Sequence, residues 1–473
     1  AEIAVSENRS GYYMDGSVLH VVTNNGAGNF PSSFDKTAVT ALIVEEGVTE
    51  IAQYAFSGFT ALETVTLPDG LTKIGTSAFT NTAYYADDAN WENGALYIGQ
   101  YLVDADNVSG AFTAKEGTVL IADYAFSGNS GITSFSAPEG LRFIGEGAFR
   151  NCSRMESVTL GDSLTSIGEY TFSGCSGLTE ITIPDSVTSI GSEAFDDCGS
   201  LEAVYISDLA VWFEISFGSS TSNPLYYAGE LYLNDTLLTE LVVPDSVTSI
   251  GDYVFCNCTG LTSVNIGNSV TDIGTRAFYG CTGLREITVP DSVTSIGSET
   301  FSGCTGLTEV TIPDSVTSIE NGAFSGCTGL TAITIPGSVT HIGQGAFSGC
   351  TGLTAITIPD SVTSIGSETF SGCTGLKEVT IPDSVTSIEN GAFSGCTGLT
   401  EITIPDSVTY IGVRAFSGCT ELISVTFAQT SGWLVTGEGG RINISASDLA
   451  DNSAAAAYLT STYCSYYWAW GRE

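Results

Sequence analysis

LKEVTIPDSVTSIENGAFSGCTG, residues 376–398, is the stretch of sequence that decides the fold. Similar stretches follow one another from Leu238 to Thr420, so the chain is an array of repeated units. The spacing of apolar residues fits neither one amphipathic helix nor one long alternating strand. One such unit cannot bury its apolar face alone, and neighbouring units must stack to share a core.

The stretch predicts a closed coil of about 23 residues. Val379 and Ile381 alternate with polar residues, which is typical of a short strand with one buried face. Pro382 and Asp383 predict the turn that ends this strand. The segment from Ser387 to Ala392 predicts one turn of α-helix or 3₁₀ helix.

Phenylalanine marks the repeat, because it returns at intervals of 23 residues through most of the chain. The residues are Phe56, Phe79, Phe126, Phe149, Phe172, Phe195, Phe255, Phe278, Phe301, Phe324, Phe347, Phe370, Phe393 and Phe416. Each is expected in the same buried position of its coil.

The pattern L-x-x-[IV]-x-[IVL]-P-x-x-V-x-x-I-x-x-x-A-F-x-x-C covers about residues 39–427 and resembles the BspA-like, or Treponema-type, leucine-rich repeat. The resemblance implies a right-handed solenoid with a parallel β-sheet on one face. With the predicted turns on the other face, the expected fold is an α/β repeat solenoid. The resemblance also implies a protein displayed on or secreted from a host-associated microbe, with adhesion as its role.

The expected domains are an N-terminal cap at 1–38, a solenoid at 39–427 and a C-terminal cap at 428–473. Inserts break the period at about 80–108 and 207–237. Both hold a Tyr-Tyr pair followed by an apolar run, and each predicts a β-hairpin. The turns are expected at Gly99-Gln100 and Asn234-Asp235, so the two inserts are interpreted as the same module.

The inserts concentrate aromatic side chains, which either cover the edges of the core or form an exposed contact surface. Aromatic residues are enriched at interface hot spots, so a partner is expected to contact the inserts more than the regular coils. The candidate ligand-binding residues are Tyr84, Tyr85, Trp91, Tyr97, Trp212, Tyr226, Tyr227 and Tyr232.

Two polar positions recur from coil to coil, and we call a position repeated in successive coils a column. Strand threonines either simply suit an exposed sheet or contact a ligand; the candidates are Thr311, Thr334, Thr357 and Thr380. Aspartate after proline either forms the turn or binds calcium; the candidates are Asp291, Asp314, Asp360 and Asp383. No other cofactor or metal is expected.

The thirteen cysteines mostly step by 23 residues, as from Cys258 to Cys419. This spacing predicts inward columns of reduced thiols, because parallel side chains fit disulfide geometry badly. A soft-metal site is disfavoured, since no histidine accompanies the column.

Charge and composition exclude several classes of partner. Thirteen Lys and Arg against 53 Asp and Glu give a net charge of −40, which excludes nucleic acid as a partner. No apolar run approaches the roughly 20 residues of a membrane span. The opening AEIAVSENRS is interpreted as a mature start after removal of a signal peptide.

Few side chains are available for acid–base or nucleophilic catalysis, because His20 and His341 are the only histidines. The expected function is therefore a non-enzymatic, extracellular or cell-surface binding protein. It is expected to be a monomeric adhesin for a host extracellular protein or glycan. The alternatives are a structural surface spacer and a polysaccharide-targeting accessory part of a larger enzyme.

Overall fold

The computed structural model describes residues 11–437 and 440–470. The predicted caps are therefore described in part. The interpretation of the first ten residues as a mature start lies outside the described residues.

The chain divides into two compact units. The first comprises Ala1–Val211 with Ile215–Ala228, and the second comprises Trp212–Glu214 with Gly229–Glu473. The division falls within the second predicted insert.

A regular coil of the second unit, residues 376–398, shows how the repeat folds. Its first strand, Glu378–Thr380, lies parallel to Ala355–Thr357 of the preceding coil. After a turn, Ser387–Ile388 forms a shorter strand that lies parallel to Ser364–Ile365. Most regular coils thus contribute one strand to each of two parallel ladders, whereas the coil at 330–352 contributes only its second strand, His341–Ile342.

The segment predicted as a helical turn, Ser387 to Ala392, differs from that prediction at its start. Ser387–Ile388 is a strand, because its backbone pairs with strands of both adjacent coils. The rest is turn, closed by bonds between residues three apart, as from Ala392 N to Glu389 O at 3.3 Å. The predicted repeat solenoid is confirmed in both units, since coils about 23 residues apart stack through parallel strands.

Phenylalanine rings of successive coils stack on one another through the core. In the second unit, successive rings from Phe255 to Phe416 are fully buried and stack with centroids 5.3–5.7 Å apart. Full burial of a Phe side chain stabilises the fold by roughly 1.5–3 kcal/mol. The backbone beside each ring also bonds to the next coil, as from Phe370 N to Ala392 O at 2.8 Å.

The cysteine side chains link each coil to its predecessor. All thirteen cysteines lie in the described part of the chain and none forms a disulfide; twelve are buried and Cys464 is half-buried. From Cys281 to Cys419 each Sγ donates to the carbonyl of the Phe 26 residues earlier. Cys281 thus bonds to Phe255 O and Cys396 to Phe370 O, both at 3.1 Å. The predicted burial of the thiols is confirmed.

The first unit begins with an antiparallel hairpin, β1 with β2, and β2 then pairs in parallel with β3. Its sheets have the orders β1-β2-β3-β5, β4-β6, β10-β12-β14 and β19-β17-β15-β13-β11-β9-β8-β7, and β16 pairs with β18. The strands are β1 (Tyr12–Asp15), β2 (Val18–Val21), β3 (Ala41–Val44), β4 (Glu50–Ile51), β5 (Thr64–Thr66), β6 (Lys73–Ile74), β7 (Trp91–Glu92), β8 (Ala95–Ile98), β9 (Tyr101–Asp104), β10 (Gly110–Thr113), β11 (Leu120–Ile121), β12 (Ile132–Ser136), β13 (Phe143–Ile144), β14 (Ser157–Thr159), β15 (Ser166–Ile167), β16 (Glu180–Thr182), β17 (Ser189–Ile190), β18 (Ala203–Ile206) and β19 (Ser216–Phe217).

The second unit contains the more regular coils. Its sheets have the orders β22-β24-β26-β28, β23-β25, β27-β29-β30, β31-β33, β35-β37 and β32-β34-β36-β40-β38-β39, and β20 pairs with β21. The strands are β20 (Leu231–Leu233), β21 (Thr236–Leu237), β22 (Glu240–Val242), β23 (Ser249–Ile250), β24 (Ser263–Asn265), β25 (Asp272–Ile273), β26 (Glu286–Thr288), β27 (Ser295–Ile296), β28 (Glu309–Thr311), β29 (Ser318–Ile319), β30 (His341–Ile342), β31 (Ala355–Thr357), β32 (Ser364–Ile365), β33 (Glu378–Thr380), β34 (Ser387–Ile388), β35 (Glu401–Ile404), β36 (Tyr410–Ile411), β37 (Ser424–Phe427), β38 (Trp433–Gly437), β39 (Gly440–Asn443) and β40 (Tyr467–Trp470).

Helices are few and short. The α-helices are α1 (Ala83–Ala86), α2 (Leu209–Glu214), α3 (Leu225–Ala228), α4 (Ala446–Ala450) and α5 (Asn452–Ala457). The 3₁₀ helices are Asn24–Gly26, Lys36–Ala38, Asp88–Asn90 and Ser220–Ser222, and a π-helical turn spans Tyr458–Thr462.

Both predicted hairpins are confirmed. Strands β8 and β9 pair antiparallel around Gly99-Gln100, and β20 and β21 pair antiparallel around Asn234-Asp235. Asn234 and Asp235 have φ of 49° and 63°, the left-handed pair of angles that favours a tight hairpin turn. A short helix holding a Tyr-Tyr pair precedes each hairpin, as the likeness of the two inserts predicts.

The end of the second unit leaves the parallel pattern. Strand β40 pairs antiparallel with both β36 and β38. Helix α5 packs against β37, and its Asn452 Nδ2 donates to Thr426 Oγ1 at 3.1 Å. Trp433 on β38 and Trp468 on β40 are buried.

We expect the native protein to be alkylated at Cys464 alone, and the denatured, unreduced protein at all thirteen cysteines. Burial raises the pKa of thiols such as Cys152, Cys258 and Cys373 to about 12, so little reactive thiolate forms near neutral pH. Mass spectrometry of iodoacetamide-treated peptides measures both states. Recovery of the column from Cys281 to Cys419 as linked pairs would contradict the expectation.

Candidate binding surface

The first strands of the coils in the second unit present an exposed surface, which we call the strand face. In each strand the middle residue points inward, as Val310 does between Glu309 and Thr311. The parallel register places like residues side by side, as Thr357 beside Thr380. The strand face comprises Glu286, Thr288, Glu309, Thr311, Thr357, Glu378, Thr380, Glu401 and Thr403, all of them exposed. We include the exposed Thr334, which holds the equivalent position of its coil although residues 331–336 form no strand.

Hydroxyl groups elsewhere in the coil hold the stack together. The serine that follows Pro-Asp or Pro-Gly donates to a carbonyl of the preceding coil, as Ser315 Oγ does to Val293 O at 2.7 Å. The threonine before the second strand does the same, as Thr317 Oγ1 to Thr294 O at 3.3 Å. Both columns therefore have a structural role.

The strand threonines differ from these two columns. Within residues 11–437 and 440–470, the hydroxyls of Thr311, Thr334, Thr357 and Thr380 have no hydrogen-bond partner in the protein. All four sequence-predicted threonines are exposed, with their donors and acceptors available to a ligand. Thr311, Thr357 and Thr380 end the strands β28, β31 and β33, whereas the prediction of a strand at Thr334 is wrong, because residues 331–336 form no strand.

The aromatic side chains of the first insert mostly bond to one another's backbone. Tyr84 Oη donates to Tyr97 O at 2.8 Å, and Trp91 Nε1 donates to Tyr85 O at 2.8 Å. Tyr85 Oη donates to Asp104 Oδ2 at 3.0 Å. Burial and the nearby Asp104 raise the pKa of Tyr85 above its ordinary value. Tyr84, Tyr85 and Trp91 are half-buried, and their polar atoms are engaged within the insert.

The second insert is similar in this respect. In the first unit, Tyr227 Oη donates to Asp196 Oδ1 at 3.1 Å and accepts from Asp197 N at 3.0 Å. Burial raises the pKa of Tyr227 to about 12. Tyr226 is half-buried, as is Tyr232, which donates to Glu230 Oε2 at 2.8 Å.

Two candidate contact residues are placed inside the core. Trp212 is 1% exposed and donates from Nε1 to Val254 O at 3.1 Å, and Tyr97 is 8% exposed. The interpretation of these two side chains as contact surface is wrong. Trp212 is buried because helix α2, which the sequence analysis did not identify, turns it and Phe213 inward.

The aspartate column shows no metal-binding group. Within the described residues, no three His, Cys, Asp or Glu side chains come together around a possible ion. Asp291, Asp314, Asp360 and Asp383 are exposed, and Gly337 interrupts their column. In the described part of the chain, no helix is long and apolar enough to cross a bilayer.

One feature of the second unit was missed by the sequence analysis. A groove of about 780 Å³ lies over the turns of the last regular coils, with Glu368 and Arg414 on its walls and Tyr466 at one side. The signal was present, because the column of these two residues mixes charged residues with glycine: Arg276, Glu299, Gly322, Gly345, Glu368, Gly391 and Arg414. It was overlooked because these positions vary most within the repeat.

Most of the chain matches the model of a known protein family. The model of the BspA type leucine rich repeat region matches residues 31–107, 97–222, 229–354 and 340–433. No curated protein matches the chain.

Solved structures are similar as well. A leucine-rich cell surface protein from Faecalibacterium prausnitzii A2-165 is 29% identical with a TM-score of 0.50, covering 72% of this chain and 94% of its own. A leucine-rich repeat protein from Bacteroides ovatus ATCC 8483 is 25% identical with a TM-score of 0.42, covering 87% of each chain. A leucine-rich repeat protein from T. pallidum is 34% identical with a TM-score of 0.32, covering 39% of this chain and 83% of its own.

We expect Trp212→Ala to destabilise the protein more than Trp91→Ala. Truncating the fully buried Trp212 leaves a cavity and costs about 3–5 kcal/mol, whereas Trp91 is half-buried and loses less. Urea denaturation followed by tryptophan-independent circular dichroism measures both variants, with Thr334→Ala as an exposed control. An equal or larger loss for Trp91→Ala would contradict the assigned burial.

Proposed function

This chain belongs to the family of BspA-type leucine rich repeat proteins, and on that premise we propose that it is a non-enzymatic adhesin of the cell surface or extracellular space. Its partner is a host extracellular protein or glycan. The F. prausnitzii protein that is similar over 72% of this chain is described as a cell surface protein, which supports the proposed location.

The observation that carries the proposal is the free column of threonine hydroxyls on the strand face. Two other hydroxyl columns of the same coils are used to bond one coil to the next. The stack does not need the hydroxyls of Thr334 and Thr357, yet they recur with the repeat. Each hydroxyl both donates and accepts, so it can bond to the polar groups of a protein backbone or a sugar.

The regular spacing of the strand face favours an extended or repetitive partner. Adjacent strands lie about 4.8 Å apart, so equivalent hydroxyls recur at that interval along the stack. Many weak contacts to one long ligand add through effective concentration, without any deep pocket. Acidic side chains such as Glu309 and Glu378 flank the threonines and favour a partner with some positive charge.

The proposal of a non-enzymatic role is supported by the placement of the two histidines. His20 Nδ1 bonds to Glu45 Oε1 at 2.7 Å, and its ring stacks on Tyr13 with centroids 4.5 Å apart. His341 is exposed on strand β30, where the neighbouring coil has Ser318. Neither arrangement places a base beside a buried nucleophile.

Binding of the whole chain to an array of host extracellular-matrix proteins and glycans tests the proposal. For the strongest spot, we expect Thr334→Val with Thr357→Val to weaken binding by about tenfold. The double change removes two hydrogen-bonding groups, each worth about 0.5–1.5 kcal/mol, while side-chain shape is kept.

The matched control is Thr328→Val with Thr351→Val, at exposed threonines of the turns in neighbouring coils. The control pair is expected to bind as the unchanged protein does. An equal loss of binding in both double variants would contradict the strand face as the binding site. A chain that binds no spot would contradict the adhesin proposal and leave the spacer role.

A further inference from the structure

The groove over the turns of the second unit has opposite charges on opposite walls. It measures about 780 Å³, within the range of small-molecule sites. Glu368 forms one wall and Arg414 the other, and Gly391 lies between them. Ser371 and Ser394 add polar groups to its lining.

The groove exists because glycine occupies the middle coil. Glu368, Gly391 and Arg414 hold the same position in three successive coils, with φ of 56°, 63° and 58°. Backbone bonds join these coils, as from Glu368 N to Asn390 O at 2.9 Å. The backbones of Glu368 and Arg414 are thus two steps apart, roughly 10 Å at the spacing of hydrogen-bonded chains.

Elsewhere in this column the same two residue types neutralise each other. Arg276 and Glu299 lie in adjacent coils, and two hydrogen bonds of 2.9 and 3.0 Å join guanidinium to carboxylate. In the described structure, neither Glu368 nor Arg414 takes part in an ion pair. The intervening Gly391 leaves both charged groups free to meet a ligand.

A ring from the C-terminal segment supplies the apolar side of the groove. Arg414 N donates to Cys464 O at 2.6 Å, which fixes this segment beside the last coil. The ring of Tyr466 lies against Gly437, where any added Cβ would fall 2.4 Å from Cδ1 of the ring. Tyr466 also makes an edge-to-face contact with Tyr463, with centroids 5.7 Å apart.

We propose that this groove binds a short zwitterionic peptide of two or three residues. The peptide carboxylate pairs with the Arg414 guanidinium, whose planar fork suits a carboxylate, and the ammonium group pairs with Glu368. Glu368 leans over the middle coil, since a Cβ added at Gly391 would lie 3.3 Å from Glu368 Cγ. A dipeptide spans roughly 7 Å and therefore bridges the two charged groups across the open side of the groove, above backbones about 10 Å apart. Tyr466 covers the apolar part of the ligand.

The requirement for both charges follows from the arrangement. A ligand with only a carboxylate leaves Glu368 unpaired and facing it, and a ligand with only an ammonium leaves Arg414 unpaired. The groove is separate from the strand face, so this inference does not depend on the proposed adhesin function.

Calorimetric titration of the whole chain with alanyl-alanine tests the inference. The N-acetylated and the C-amidated dipeptides, each lacking one charge, are the matched probes. We expect the zwitterion to bind at least tenfold more tightly than either derivative, and its affinity to fall as salt rises. No binding at millimolar concentration, or equal binding of all three probes, would overturn the inference.

Arginine already occupies this column at Arg276 and Arg414, so substitution of its glycine by arginine provides a structural test. Gly391→Arg places a guanidinium beside Glu368, as Arg276 lies beside Glu299, and is expected to abolish dipeptide binding. Gly322→Arg is the control, because Gly322 also has φ of 63° and also follows a coil with glutamate at this position, Glu299. The control is expected to bind normally.

Two further variants keep the test decisive if Gly391→Arg lowers the melting temperature. Arg414→Gln and Glu368→Gln each remove one charge at an exposed position, and each is expected to weaken dipeptide binding at least tenfold. Arg414→Gln should also remove the preference for the zwitterion over the C-amidated probe. Normal binding by both variants would assign the site elsewhere.

Discussion

The contact between one coil and the next is the interaction on which the rest of this structure depends. A single coil has no closed core, so its buried Phe must stack on the Phe of its neighbours. The Cys thiol donates to the carbonyl of the Phe in the preceding coil, which satisfies a buried acceptor at the same contact between coils. Where threonine replaces the alanine before Phe, as at Thr300, its hydroxyl bonds to Gly297 O and Gly274 O. At this position the interior accommodates a hydroxyl because carbonyl groups of two coils satisfy it.

This constraint explains which features could be predicted from the sequence. The coil and its buried columns follow from local spacing repeated many times, and the hairpin turn at Asn234-Asp235 follows from two adjacent residues. The burial of Trp212 depends instead on Val254, 42 residues away, which no local pattern indicates. The second strand, Ser387–Ile388, was predicted as a helical turn because two residues are too short to show alternation.

The two candidate surfaces, the strand face and the groove, also differ in how far they could be predicted from the sequence. The threonine column could be identified from the sequence, because exposure of alternate strand residues is a regular consequence of the fold. Whether those hydroxyls were free could not be predicted, since Ser315 and Thr317 have similar chemistry and are used in the stack. The groove was overlooked because it depends on which residues, Glu368, Gly391 and Arg414, fall side by side in three coils rather than on a residue type that recurs.

A fixed interior leaves the exterior positions able to change one at a time. The column that contains Gly391 keeps a left-handed backbone while it holds Arg276, Glu299, Gly322 or Arg414, so its side chain is set by the surface rather than by the core. A substitution in this column alters the charge and shape of the surface without disturbing the stacked Phe rings and the Cys hydrogen bonds of the core. The strand face uses repetition to build an extended surface, whereas the groove arises where repetition is broken. One stack of nearly identical coils can thereby carry a broad, additive contact and a local, selective one on different faces of the same coils.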